Sequence, residues 1–350
     1  MLGYIIRRVL QGIAILMVAT FFLYGLLGQV HGSPFTRLLD PANGGKYSPA
    51  DVQRLERQMG WDKPWYQRYF TWLFDSDKTD PKDRPIDIGL GNWRIRGAGF
   101  LTGNWGESQR VAVGVPALDQ IMARIPNTLI LMISAVVVSL VIALPIGIIA
   151  AVRQYSKLDY IVTGFSFVGL SLPPFWFGIM LVILFAVNFK QWGLPYLPPG
   201  GLSDLGQEGD ILNRISHLVM PVTVLSLVAV AGWSRYIRAG MLEVLQLDYV
   251  RTAWAKGLRA RSVILKHALR NALLPLITMV GLTLPTLFGG AVVTETVFAY
   301  PGIGQLYRAA LDYDWTLLLD ILVITTALVV FSNTLVDILY SYADPRIRYS

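Results

Sequence analysis

Six stretches of the chain, residues 4–27, 128–152, 160–187, 217–233, 272–293 and 316–340, are nearly free of charge. Each is close to the roughly 20 residues that a helix needs to cross about 30 Å of hydrocarbon. Lipid offers the backbone no water to bond, so such runs must be helices that satisfy their own N–H and C=O groups. The chain is therefore read as an all-α polytopic membrane protein with six transmembrane helices. Only 15% of its residues are charged, where soluble domains carry about 25%. The Pro173-Pro174 pair interrupts the third run.

An even number of spans leaves both termini on one side. The two ends, the 153–159 turn and the 235–271 segment together hold 14 Lys or Arg against Asp159, Glu243, Asp248 and Asp344. The positive-inside rule makes these segments, and with them both termini, cytoplasmic. The first run follows Arg7-Arg8 and continues for about 19 apolar residues, longer than the h-region of a cleaved signal peptide, so it is read as a retained anchor.

Residues 31–126 then form a small external domain between the first two spans. Its 13 Lys/Arg and 11 Asp/Glu are nearly balanced, and Trp61, Trp65, Trp72, Trp93 and Trp105 lie within it. That composition fits a folded cap better than a disordered tail. Ser48-Pro49 opens an amphipathic helix whose apolar face is Val52, Leu55 and Met59. The stretch near 74–100, rich in Asp, Lys, Pro and Gly, reads as an inserted loop or short hairpin.

Several chemistries are excluded. The chain has no Cys, and its histidines, His31, His217 and His267, are far apart with no HExxH pattern, so no metal site is expected. The only Gly-Gly-Lys run, Gly44-Gly45-Lys46, lacks the first glycine of a phosphate loop and is followed by Tyr47 where a magnesium-binding Ser or Thr should stand. No catalytic pair at matching depth is found. The chain is read as non-catalytic, with no cofactor of its own and no nucleic-acid partner.

The most distinctive segment is DYVRTAWAKGLRARSVILKHALRNALLP, residues 248–275, with six Lys/Arg and one acid between two spans. Tyr249, Ala253 and Gly257, with Val250 and Trp254 beside them, recur at helical spacing, while Arg251, Lys256 and Arg259 lie mostly elsewhere on the wheel. Gly257 can stop that helix, and Val263, Ile264, Ala268 and Leu269 outline a second. A solvated basic loop would explain the charge alone; a docking helix also explains the small residues and the glycine. Thr252 and Ala253 are expected to enter a partner's groove.

Intramembrane acids are costly and often functional. Glu295 lies at the external end of the fifth span, and Asp320 and Asp337 near opposite ends of the sixth. A proton relay would make the chain a secondary transporter, but boundary positions, within reach of water or a cation, favour structural or gate-positioning roles. Pro301-Gly302-Ile303-Gly304 after Glu295 reads as a re-entrant turn lining the external mouth, giving Glu295, Pro301 and Gly302 as external gate residues.

Tyr249-Val250-Arg251-Thr252-Ala253 through Lys256-Gly257-Leu258, followed by KHALRNALLP, resembles the coupling loop of ABC-importer permeases in the form typical of dipeptide and oligopeptide systems. Arg251 stands where the general importer pattern has Glu, and Thr252 where it has the first Ala. Similar blocks run almost end to end: MLGYIIRRVLQGI, LLGQVHGSP, DKPWYQRYFTWL, NWGES, ARIPNTLILMISAVVVSLVIALPIGIIAA, LSLPPFWFG, GGAVVTETVFAYPGIGQL and DPRIRY. They are similar to the first, B-type, of the two peptide-permease subunits; the 74–100 stretch is longer than that pattern.

The resemblance implies the type I ABC-importer permease fold in the plasma membrane of a prokaryote. Residues 1–30 would be the N-terminal span, 127–343 a five-helix core with its coupling loop at 243–271, and 344–350 a cytoplasmic tail. It implies a heterodimer with a second homologous permease, two ATP-binding subunits that bind ATP and magnesium, and an external substrate-binding protein. Tyr249, Arg251, Thr252, Ala253, Lys256 and Gly257 would couple to the ATPases. Ser171, Pro174 and Met279 would line the path. Peptides are the expected substrate, with nickel chelates, glutathione or oligosaccharides as the family's alternatives.

Overall fold

The computed structural model describes residues 2–30, 48–58, 61–74, 100–103, 105–108, 111–112, 114–311 and 314–343. The Gly44-Gly45-Lys46 run, His31, Trp93, Met59, nearly all of the 74–100 stretch and the 344–350 tail lie outside them. Apart from one isolated bridge between Glu107 and Pro116, the regular structure of the described residues is helical. Five helical stretches are long and apolar enough to cross a membrane among the described residues: Ile6–Gln29, Ala117–Val152, Pro174–Gln191, Ile211–Leu245 and Trp315–Thr334.

The chain divides into two compact units, residues 1–124 with 306–330, and residues 125–305 with 331–350. In the first, α1 (Leu2–Val30), α2 (Pro49–Gln58) and α3 (Trp65–Phe74) precede the longer membrane helices. Ser48 starts α2 as the sequence implies: its Oγ donates to the Asp51 carboxylate at 2.7 Å and accepts from the Asp51 N–H at 3.2 Å. This reciprocal cap satisfies a donor that the first turn leaves free. Val52 is buried below it.

An aromatic core joins α1, α3 and the start of the last helix. Tyr24, Tyr69, Trp72 and Leu73 pack with Leu319 and Val323, and the Tyr69 hydroxyl lies 2.9 Å from that of Thr20. Arg68 lies over the Trp61 ring at 4.3 Å, a cation–π contact. Asp314 caps the last helix, accepting the Leu317 N–H at 3.2 Å and the Val111 N–H at 3.1 Å. Asp320 differs from its sequence reading: it is fully buried and neither carboxylate oxygen has a hydrogen-bond partner. Leu317, Leu318, Leu319 and Ile321, its neighbours along the same helix, are buried as well.

The second unit is built around one long helix. After α4 (Ala117–Val152) come α5 (Lys157–Ser171), α6 (Pro174–Leu181), a π-helical segment Val182–Asn188, α7 (Phe189–Gln191) and α8 (Ile211–Leu245). The third apolar run is thus not one helix. Pro174 has no N–H to continue the ladder and disfavours helical backbone at Pro173 before it, so α5 ends at Leu172 and Pro173 caps α6. Both pieces pack along α8.

Both α4, with 36 residues, and α8, with 35, outrun their apolar stretches. At 1.5 Å per residue each is about 50 Å long, well beyond the hydrocarbon layer. Close approach is allowed by Gly147, where a Cβ would lie 2.7 Å from Ile237. In the first turn of α5, Asp159 is held by two hydrogen bonds from Arg238 of α8, at 2.6 and 2.8 Å. These hold its carboxyl below the ordinary carboxylate range.

Candidate coupling segment and Glu295 clasp

The basic segment folds as two helical pieces. First comes α9 (Asp248–Ala255); then α10 (Ala260–Ser262), a π-helical stretch Val263–Ala268 and α11 (Leu269–Ala272) run on toward α12 (Leu274–Val297). Gly257 ends the first piece in left-handed backbone, φ +72°. The Gly257 N–H donates to the Trp254 carbonyl at 2.9 Å and the Leu258 N–H to the Ala253 carbonyl at 3.4 Å. This is the paired closing motif that a glycine just past a helix end permits.

The helix has a sharp inside and outside. Val250 and Ala253 are buried, at 0% and 5% exposure, against Met241, Val244, Val263 and Ala268. Arg251, Thr252, Trp254 and Lys256 are exposed. Tyr249 is also exposed, and its hydroxyl accepts from the Asn271 amide at 2.7 Å, which ties the two pieces together. Ala253 therefore differs from the expectation that it enters a partner's groove. Its small side chain lets α9 sit close on its own core, and the outward face is made by its neighbours. Trp254 joins that face; its aromatic character beside Arg251 was the available signal.

At the other end of α12, Glu295 is fully buried. It accepts the Thr128 hydroxyl at 2.7 Å and the Gln305 N–H at 3.1 Å. The Thr128 oxygen in turn accepts the Ile303 N–H at 2.8 Å, and Asn127 donates to the Pro301 carbonyl at 2.8 Å. The Tyr300 N–H bonds the Glu295 carbonyl at 2.8 Å, and burial pushes the Tyr300 phenol up to about 12. Glu295, Pro301 and Gly302 thus belong to one clasp, closed by Asn127 and Thr128 of α4, which sequence reasoning missed. After it the chain enters α13 (Ile303–Ala310) and then α14 (Trp315–Ala343).

The three path residues are brought into no common cluster. Ser171 is exposed, with its hydroxyl turned back to the Phe167 carbonyl at 2.8 Å. Pro174 is exposed at the start of α6, and Met279 is partly exposed on α12, its carbonyl accepting from Thr283 at 2.7 Å.

Over 350 residues, covering 100% of both chains, the sequence is 40% identical to the oligopeptide transport system permease protein AppB of Bacillus subtilis. It is 30% identical to the dipeptide transport system permease protein DppB of Escherichia coli K12, covering 100% of this chain and 99% of that one. Among solved structures, an inward-facing MetNI methionine ABC transporter matches with a TM-score of 0.53 and 20% identity, covering 65% of this chain and 98% of that chain. At that identity the likeness is one of fold. Residues 143–349 match the family described as binding-protein-dependent transport system inner membrane component, and with relatives this similar end to end, the chain belongs to that family.

Proposed function

We propose that this chain is one of two paired permeases in an ATP-driven importer of peptides delivered by an external binding protein. The substrate reading rests on the oligopeptide and dipeptide permeases it resembles over its whole length. The observation that carries the coupling role is the two-sided α9, rooted in the core by Val250 and Ala253 and presenting Arg251, Thr252, Trp254 and Lys256 outward. Driving a two-state path from 1:99 to 99:1 takes about 5.5 kcal/mol of differential binding. In this reading two cytoplasmic ATPases bind ATP and magnesium and supply that bias. A helix capped by Gly257 and packed through Val263 and Ala268 passes their movement to α8 and α12 as a lever.

Orientation follows from charge. The α9–α11 segment, the α4–α5 turn and both termini are cytoplasmic, and the Glu295 clasp is external. Six spans result if α5 and α6 are two halves of one crossing and α12, with 24 residues, is the fifth. The test is purification with and without partners. The chain alone should not hydrolyse ATP; with a second permease, the ATPases and the binding protein it should drive peptide uptake. Stoichiometric ATP turnover by the isolated chain sinks the reading.

A further inference from the structure

Two arginines of α8, about one turn apart, differ in their partners. Arg238 is neutralised by Asp159 of α5. Among the described residues no carboxylate pairs with Arg235; it is exposed, and its guanidinium lies over the Phe167 ring of α5 at 4.9 Å. The face of a ring attracts a cation without neutralising it. Contacts between the two helices set the depth of this pair. The Ser166 and Ser234 hydroxyls lie 3.3 Å apart, and a Cβ on Gly169 would lie 3.1 Å from Ala231. The helices are therefore antiparallel, and Phe167, about 12 Å along α5 from Asp159, stands farther from the Asp159–Arg238 bridge than Arg235 does.

Arg235 stands in a groove between two stripes at helical spacing: Gly232, Arg235 and Ala239 on α8, and Gly164, Phe167 and Ser171 on α5. Arg235, Ala239 and all three α5 positions are exposed, and a Cβ at Gly164 or Gly232 would meet nothing within 4 Å. The groove is roomy, and neither stripe holds an acid. Helical side chains lean toward their helix N-terminus, which for α8 is the external end in the proposed orientation. Arg235 thus leans into the membrane toward Phe167, away from the headgroups of the cytoplasmic leaflet. Hydrocarbon covers a charge at such depth only at large cost, so intramembrane cations face water-filled paths or an anion.

We infer that the α5–α8 groove faces the translocation path and that Arg235, braced by the Phe167 ring, takes the C-terminal carboxylate of the peptide in transit. The inference rests on the peptide-importer reading and its orientation. Every linear peptide ends in one carboxylate whatever its side chains, so a path that accepts varied sequences can hold all of them by that group. The guanidinium fork offers it two parallel hydrogen bonds, and Gly164 and Gly232 leave room for the terminal residue beside it.

The experiment measures ATP-driven import by the complete importer in proteoliposomes, normalised to assembled complex. One peptide is supplied in two forms, free acid and C-terminal amide, chosen so that the purified binding protein holds both. That protein is common to wild type and variant, so its own preference cancels when their acid-to-amide import ratios are compared. Arg235→Gln should lower import of the free acid about tenfold and leave that of the amide within about twofold. Arg235→Lys, which keeps the charge, should retain the preference for the acid. Phe167→Leu removes the brace and no charge; it should shift the ratio the same way by less, and decides the matter if Arg235→Gln does not assemble. A ratio unaltered in the variants, including equal losses of both forms as a structural arginine would give, overturns the inference. So does a loss confined to vesicles containing phosphatidylglycerol and absent from pure phosphatidylcholine, which would make the anion a lipid headgroup. Wild-type importer that moves neither form defeats the peptide reading and this inference with it; wild type that moves both, with an unaltered ratio in the variants, defeats the Arg235 assignment alone.

Discussion

The carboxylate of Glu295 occupies the space that any side chain at position 302 would need: a Cβ on Gly302 would lie 2.2 Å from its Oε1. The glycine and the acid are therefore one device, in which a bare backbone lets the YPGIG turn close over a buried carboxylate. Gly302→Ala should push the two apart and cost about 1–3 kcal/mol. Glu295→Gln keeps the acceptor for Thr128 but can turn an amide donor toward the Gln305 N–H, at a cost of about 1–3 kcal/mol. Thermal unfolding of the purified complex should show both losses. A stability at wild-type level in Gly302→Ala would refute the close contact.

The Asp159–Arg238 pair gives a pH dependence of definite sign. Arg238 lowers the native pKa of Asp159, so the pair's stabilisation is complete above the ordinary carboxylate value, about 3.9, and is lost as pH falls through the lowered native one. With Arg238 a quarter exposed, its worth is about 1–3 kcal/mol. Asp159→Asn should be less stable at pH 7, and the gap to wild type should close only under strong acid. A gap already closed at pH 5 would contradict the bridge.

On α9 the inward and outward faces should separate by assay. Ala253→Arg forces a cation into the core beside Val263 and Ala268 and should cost about 2–4 kcal/mol, lowering membrane abundance. Arg251→Ala and Trp254→Ala remove exposed groups and should leave abundance intact while uncoupling ATP turnover from the binding protein. Equal abundance for Ala253→Arg and wild type would reverse the assignment of faces.

Much of this was legible in the sequence because it is local. Ser48 three residues before Asp51, Gly257 past the last helical turn and Pro173-Pro174 within an apolar run each act on backbone a few residues away. Helix length was not legible: α4 and α8 continue past their apolar stretches through polar residues that hydropathy cannot separate from loops. Nor was the direction of Ala253, since a small residue suits a close approach to either side and only the packing of Val250, Val263 and Ala268 decides which. Hardest to read were the partners of Glu295. Thr128 lies 167 residues away in sequence, and nothing near either residue signals the other.

The base of the loop at residues 192–210 offers the last prediction, because it combines close approach and backbone strain in separable positions. A Cβ at Gly200 would lie 2.0 Å from the Phe298 carbonyl oxygen, whereas one at Gly193, φ +69°, would meet nothing within 4 Å. Gly193→Ala should therefore cost only the strain of a left-handed alanine, about 1 kcal/mol. Gly200→Ala must lift the loop from Phe298 and break the Gly201 hydrogen bond, so the Gly201 amide should exchange with solvent much faster while the amides of α8 keep their protection. Equal exchange at Gly201 in the Gly193 and Gly200 variants would show that the loop is not fastened at Phe298.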